Sequence, residues 1–352
     1  MKIKKISIIV GTRPQIIKSI KLVEELLKNN FNVKIIHTGQ HYDYQLSKKF
    51  FKELKILNPT INLEIGKGTQ LEQISKIIIK LEGIFKKSTP DLVIIPGDTT
   101  SAIASALAAS KCHVKIAHLE AGARSNQFYM SEEINRRQID HCSNILLAPT
   151  KNCLQNLKNE LVFGKAFFVG DTMYDLFLDQ CKKQKIKFSE KLNKKQVLVT
   201  IHRAENIKNN DFLKKLSSML NGLSTNGYQI IFPVHPNTQK WINEMGIKFR
   251  IDTIEPIGYL QMLKFLAKSN LVITDSGGLQ KEAYWSQTPC ITLRESTEWI
   301  ETINEKANFL FFKKLPSISK IEEISSNKIK VKPSLFGSGN ASKKIASLFK
   351  TL

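Results

Sequence analysis

Leu271-Val-Ile-Thr-Asp-Ser-Gly-Gly-Leu-Gln-Lys-Glu-Ala283 is the stretch whose reading decides the fold. It opens as an apolar run of strand type, breaks at Asp275-Ser276-Gly277-Gly278, and continues in a helical pattern. A strand turning straight into a helix presents first-turn N–H groups, which hold anionic oxygens. Gly277 and Gly278 let the backbone approach such an anion closely. Glu282 follows one turn later, where a carboxylate suits a sugar diol better than a phosphate. An ordinary β–α turn containing two glycines would look the same in isolation, so the surrounding sequence has to decide.

On either side, strand-like runs alternate with helical patterns. The first half reads Ile6–Val10, Val33–His37, Leu92–Ile95, Val114–Leu119, Ile145–Ala148 and Phe167–Val169. The second reads Val197–Thr200, Gln229–Pro233, Thr253–Glu255, Leu271–Thr274 and Cys290–Leu293. Strands separated by helices imply parallel sheets with helices on both faces. Two such α/β halves meet near residues 168–195, at Gly170-Asp171-Thr172 and a lysine-rich helix. Ligands of such folds sit outside the carboxyl ends of the strands.

A chain of 352 residues is long enough for two domains with full cores. With 42% hydrophobic and 24% charged residues, its composition is that of a globular protein. No apolar run reaches the ~18 residues of a membrane span, and Met1 to Gly11 reads as a first strand rather than a signal segment. The five cysteines are scattered, without CxxC spacing, as in a reducing compartment. A cytoplasmic protein without structural zinc or membrane attachment is expected. The formal net charge of +22 suggests nucleic acid, but the excess is mostly lysine along helix surfaces such as 182–185 and 191–195. No zinc finger or RNA-recognition signature accompanies it, and no nucleic-acid partner is expected.

The unusual residues collect after the strands. Gly11-Thr12-Arg13-Pro14 leaves the first strand, with Pro14 suited to a first helical turn, Arg13 at the ligand edge and Lys18 further along. His37-Thr-Gly-Gln40-His41 follows the second strand as a polar loop or a set of hydrogen-bonders. Gly97-Asp98-Thr99-Thr100 and His118-Leu-Glu120-Ala-Gly122 follow later strands, and Ser131-Glu132-Glu133-Ile-Asn135-Arg136 opens a helix. An N-cap would explain Asp98 alone, and the helix dipole would explain Glu132 alone. Three carboxylates at neighbouring strand ends are harder to dismiss, because proximity makes an acid and a base available together. In the second half His202-Arg203-Ala-Glu205-Asn206, His235 and Arg294-Glu-Ser-Thr297-Glu298-Trp299 occupy equivalent places. A His–Arg pair there can neutralise a diphosphate or protonate a leaving group. Trp299 reads equally as a packing plug or a stacking wall. The pattern favours a binding and catalytic cleft between the halves.

GTRP (11–14) with Lys18, GDTT (97–100), HLEAG (118–122), EEINR (132–136), IHRAEN (201–206), TDSGGLQ (274–280) and STE (296–298) resemble, in order and spacing, the non-hydrolysing UDP-N-acetylglucosamine 2-epimerases. The resemblance runs from about residue 6 to 302. It implies two Rossmann-like domains facing a cleft, as in the GT-B superfamily. The first would span residues 1–168 plus a returning helix at 338–352, and the second, UDP-binding, residues 169–337. It also implies inversion at C2 of a UDP-2-acetamido sugar, without a cofactor or metal, in a homodimer serving surface-polysaccharide synthesis. UDP leaves C1 by anti elimination as the C2 proton is removed, giving a 2-acetamidoglucal, and then adds back.

By the resemblance Asp98, Glu120 and Glu132 are the catalytic carboxylates, and His202 an acid beside the diphosphate. Which carboxylate is the base in which direction stays open. Arg13, Ser276, Gly277 and Gly278 resemble diphosphate contacts, Glu282 a ribose acceptor, and Pro256 to Tyr259 the uracil-facing backbone. Lys18, Arg136 and Arg294 complete the substrate-binding set. The chain departs from the pattern at Gln15 (Glu of GTRPE), Ser131 (Pro of PEE), Lys281 (Glu of QEEA) and Trp299 (Arg of TERP). Ala204 and Asp43 differ where the family's allosteric UDP-sugar pocket would lie. Pro14-Gln15 and Thr297-Glu298-Trp299 are also similar to relatives acting on UDP-2,3-diacetamido-2,3-dideoxyglucuronic acid. A hydrolysing epimerase, a GT-B glycosyltransferase and a non-catalytic nucleotide-sugar sensor are further alternatives.

Overall fold

The computed structural model describes residues 2–40, 58–188, 195–332 and 334–352. His41, Asp43, Lys191 and Lys194 lie outside the described residues. The chain divides into two compact units, Met1–Asp179 with Pro333–Leu352 and Gln180–Lys332.

The first unit holds a parallel sheet of strands β1 (Lys5–Val10), β2 (Asn32–His37), β3 (Ile61–Asn62), β4 (Leu92–Pro96), β5 (Lys115–Leu119), β6 (Ile145–Ala148) and β7 (Lys165–Phe168). Their spatial order is β3-β2-β1-β4-β5-β6-β7. Helices α1 (Arg13–Lys28), α2 (Gln70–Lys87), α3 (Thr100–Lys111), α4 (Ser131–Cys142) and α5 (Lys151–Asn159) connect them. Strand β4 is buried along its whole length, which is why it reads as an unbroken apolar run. The chain starts in the middle of this sheet, runs to one edge, and returns to the other side of β1 as β4. The loops after β1 and β4 therefore diverge at a topological switch point, where doubly wound sheets bind ligands.

The second unit repeats the plan with β8 (Gln196–Thr200), β9 (Gln229–Pro233), β10 (Thr253–Ile254), β11 (Leu271–Thr274), β12 (Cys290–Thr292) and β13 (Asn308–Leu310). The order is β10-β9-β8-β11-β12-β13, again parallel, with the switch between β8 and β11. Helix α6 (Thr172–Lys183) belongs mostly to the first unit and carries the chain out of it, and the second unit's own helices run through α7 (Ala204–Ile207), α8 (Asn210–Thr225), α9 (Pro236–Glu244) and α10 (Tyr259–Lys268). Then come α11 (Gly277–Trp285), α12 (Ile300–Asn304) and α13 (Ile318–Ser325), before α14 (Ala341–Thr351) returns to the first unit and packs on α1. The deciding stretch is thus β11, a turn and α11. Edge strands β3 and β13 have two and three residues and lack the apolar run that would announce them.

The units divide later than the expected break at 168/169, and Pro333–Gly337 belong with the first unit as well. Hydrogen bonds explain both shifts. Asp171 N–H donates to the Phe336 carbonyl (2.9 Å), and the Thr172 hydroxyl donates to the Lys18 carbonyl (2.6 Å). Asp175 then caps α14, accepting the N–H groups of Ala341 (3.0 Å) and Ser342 (2.7 Å). Among the described residues no helix is long and apolar enough to cross a membrane.

Candidate active site

At the switch point of the first unit, the turn after β4 places Gly97 with φ +67° and then Asp98. The N-cap of α3 is Thr99, whose side chain accepts the Ala102 N–H at 3.2 Å. Asp98 is therefore not needed for capping, and its carboxylate reaches Arg136 Nη2 at 2.5 Å. Asn135 holds the Asp98 carbonyl at 2.8 Å. Arg136 lies one turn after Glu132 on α4, so the two side chains share a helix face. Glu132 is half-buried and makes no hydrogen bond or ion pair with the described residues.

Glu120, just past β5, adopts φ +77°, a left-handed conformation that costs a non-glycine residue about 1–3 kcal/mol. Its carboxylate takes a 2.6 Å ion pair from Lys18 Nζ, with both side chains only 11% exposed. A Cβ built on Gly97 would stand 2.9 Å from the same Nζ. Lys18 Nζ thus sits close against the Gly97 turn while paired with Glu120, and the two side chains line a pocket that includes Gly170, Asp171 and Thr172. Arg13, at the first position of α1, is half-buried at the carboxyl end of β1.

Gln15 explains its own departure from the pattern. Its side-chain oxygen accepts the Gly11 N–H at 2.8 Å while its amide donates to the Pro96 carbonyl at 2.8 Å. A glutamate could make the first bond but, ionised, not the second. The loop after β2 is fastened nearby: Gln40 Oε1 accepts from Ser101 N (3.0 Å) and Oγ (2.7 Å).

The second unit's switch point is organised by Asp275, which has no exposed surface. Its carboxylate accepts the backbone N–H of His202 (3.1 Å) and Arg203 (3.0 Å) and the Asn206 amide (3.0 Å). The His202 Nδ1 lies 3.1 Å from the same carboxylate, and that side chain is 45% exposed. With Nδ1 turned to Asp275, Nε2 is the nitrogen left for a ligand. Asn206 also donates to the Leu293 carbonyl at 3.1 Å, joining the loops after β8, β11 and β12.

Ser276 caps α11, its side chain accepting from Leu279 N at 3.5 Å, so Gly277 and Gly278 open the helix where first-turn amides lack helical partners. A Cβ on Gly277 would fall 2.4 Å from Glu298 Oε1. Buried Glu298 in turn pairs with buried Arg294 at 2.9 Å. Gly277→Ala is expected to displace that pair and destabilise the second unit by about 1–3 kcal/mol, the usual cost of a small-to-large change in a packed site. Thermal unfolding of the variant checks it, and an unchanged midpoint would show that the pair yields without cost. Glu282 is buried on α11, Tyr259 is buried at the start of α10, and Pro256 is half-buried in the loop after β10.

Two further departures prove to be one contact. Lys281 is almost fully buried with Nζ 4.0 Å over the centre of the Trp299 ring. Trp299 is a buried plug that receives a cation on its face. Gln280 binds the same loop to α11 by accepting the Thr297 hydroxyl at 2.6 Å.

The described residues contain no group of three or more metal-ligating side chains. Asp275, Asn206 and Gln15 are site-building residues that strand-end reading does not select. Asp275 and Asn206 stood inside quoted motifs, but nothing local to either motif says that they meet.

Two doubly wound parallel units, each with ionisable residues at its switch point, define an α/β protein of the GT-B-like class. The sequence model described as UDP-N-acetylglucosamine 2-epimerase matches residues 24–350, and the chain belongs to that family of isomerases. It is 43% identical to a UDP-N-acetylglucosamine 2-epimerase homolog of Methanococcus maripaludis, covering 99% of this chain and 100% of that one. It is 40% identical to the UDP-2,3-diacetamido-2,3-dideoxy-D-glucuronate 2-epimerase of Pseudomonas aeruginosa, covering 97% and 98%. The crystal structure of Methanocaldococcus jannaschii UDP-GlcNAc 2-epimerase with UDP-GlcNAc and UDP superposes with a TM-score of 0.91 at 39% identity, covering 99% of this chain and 100% of that one.

Proposed function

We propose that this protein interconverts UDP-N-acetylglucosamine and UDP-N-acetylmannosamine. The observation that carries the reading is the Lys18–Glu120 pair held against the Gly97-Asp98 turn, at the switch point of a family member. The C2–H of a 2-acetamido sugar is weakly acidic, so its removal needs a placed base and a stabilised leaving group. A carboxylate of the set Asp98, Glu120 and Glu132 takes the C2 proton, the C–H electrons form the C1=C2 bond, and the C1–O bond breaks to release UDP. A second member of the set returns a proton to the opposite face of C2 as the UDP oxygen re-attacks C1. Coupled carboxylates share their titration, so the direction in which each acts belongs to the set.

The second unit supplies the nucleotide grip. Ser276, Gly277 and Gly278 take the diphosphate, with Arg13, Arg136 and Arg294 as further substrate contacts and His202 Nε2 protonating the departing UDP. Glu282 accepts the ribose hydroxyls, and the Pro256–Tyr259 backbone faces the uracil. Lys18 compensates the charge of Glu120. No cofactor enters this scheme. The protein acts as a homodimer in the cytoplasm, supplying a precursor for surface polysaccharide.

The diacetamido-glucuronate sugar is the second reading, favoured by the 40% identity to the Pseudomonas enzyme of that name. Incubation with each UDP-sugar in deuterated water separates the two. Deuterium at C2 with UDP still attached is expected from UDP-N-acetylglucosamine. Exchange with the uronic acid alone transfers the assignment, free N-acetylmannosamine identifies a hydrolysing enzyme, and exchange with neither sugar refutes both epimerase readings.

A further inference from the structure

The ionic contacts of the first unit do not end at the candidate carboxylates: they close on themselves. From Asp98 the path runs to Arg136 (2.5 Å), Glu133 (3.2 Å), Arg137 (3.2 Å) and Glu160 (2.6 Å). From Glu160 it continues to Arg124 (2.7 Å), Asp140 (2.7 Å) and His118 Nδ1 (2.6 Å). The other ring nitrogen, His118 Nε2, lies 2.9 Å from the carbonyl of Gly97, the residue bonded to Asp98. Four acids alternate with three arginines and one histidine around the circuit. Asp140 also accepts the Gly122 N–H at 3.1 Å, two residues past Glu120. One circuit therefore grips both turns that bear candidate catalytic carboxylates.

The histidine closes the circuit, with its Nδ1 against the Asp140 carboxylate and its Nε2 against the Gly97 carbonyl. His118 and Asp140 have no exposed surface, so losing a partner there would leave a buried polar group unsatisfied. Burial pushes the Asp140 carboxyl up, but His118 and Arg124 outweigh it and hold the group below its usual range.

We propose that His118, Asp140, Arg124 and Glu160 are positioning residues, and that their closed circuit fixes Asp98 and Glu120 for proton transfer. This inference rests on the epimerase reading.

Glu160 is the link to test, because its side chain is 19% exposed and lies on the far side of the circuit from Asp98. In Glu160→Gln, kcat for C2 exchange is expected to fall about tenfold, within the range for networks that act at a distance. KM and UDP affinity should stay within about twofold, with kcat counted per UDP-binding site from the calorimetric titration so that an unfolded fraction does not register as lost rate, and Glu160→Asp should recover part of the rate. Unchanged kcat, or an equal change in KM, overturns the positioning role. If neither UDP-sugar exchanges with the wild type, the epimerase reading has failed. If the wild type exchanges and Glu160→Gln keeps its kcat, the positioning role alone has failed.

Discussion

Replacing Glu120 with Gln, or Asp98 with Asn, is expected to cut turnover by about 10²–10⁴-fold, the usual worth of a general acid or base. Both changes keep the size of the side chain and remove its charge and proton affinity. Lys18 would still find an oxygen at position 120, and Arg136 one at position 98, so the folds of the turns should survive. UDP binding, assigned chiefly to groups of the second unit and to Arg13, should remain within about threefold, placing the loss in kcat rather than in affinity. Steady-state rates of C2 exchange with calorimetric UDP titration read both quantities. A variant of either residue that keeps near-normal kcat would remove it from the chemistry. The strained backbone at Glu120 points the same way, since such strain persists where a side chain must be aimed.

Asp275→Asn should produce the largest effect in the second unit. Among the described residues the buried carboxylate accepts from two backbone N–H groups and the Asn206 amide, with His202 Nδ1 beside it. An asparagine must turn its NH2 towards one of them, leaving buried donors opposed and unsatisfied. Each such group costs about 1–3 kcal/mol. The loops after β8, β11 and β12 meet at this carboxylate, so UDP affinity should fall by about 100-fold, the equivalent of losing two such bonds. Thermal unfolding should move to lower temperature as well. A variant that binds UDP normally would show that the His202 and Ser276 turns do not depend on their shared anchor.

How far the sequence carries the structure is set by the range of each interaction. Leu92–Pro96 and Leu271–Thr274 are buried on both faces, so their unbroken apolar runs announce central parallel strands. The glycine-bearing turns that follow them are equally local. Asp98 was ambiguous because an acid before a helix caps it often, and only the coordinates give that duty to Thr99. Nothing near Trp299 separates plug from stacking wall, because the cation on its ring face comes from Lys281, 18 positions earlier in the chain. Gln15 reaches Pro96 and Arg124 reaches Glu160 across separations that no spacing rule covers. Edge strands of two or three residues leave no pattern to read. The unit boundary moved because hydrogen bonds of Asp171, Thr172 and Asp175, rather than composition, hold that segment.

The first unit is written in two pieces, with the whole of Gln180–Lys332 lying between them in the chain. Its closing piece, α14, buries Ala341, Ile345, Ala346 and Phe349 and packs on α1. On the ribosome, then, order of synthesis and order of completion part ways: the unit begun first has to wait, with the apolar seat of α14 open, until the unit begun second has fully emerged.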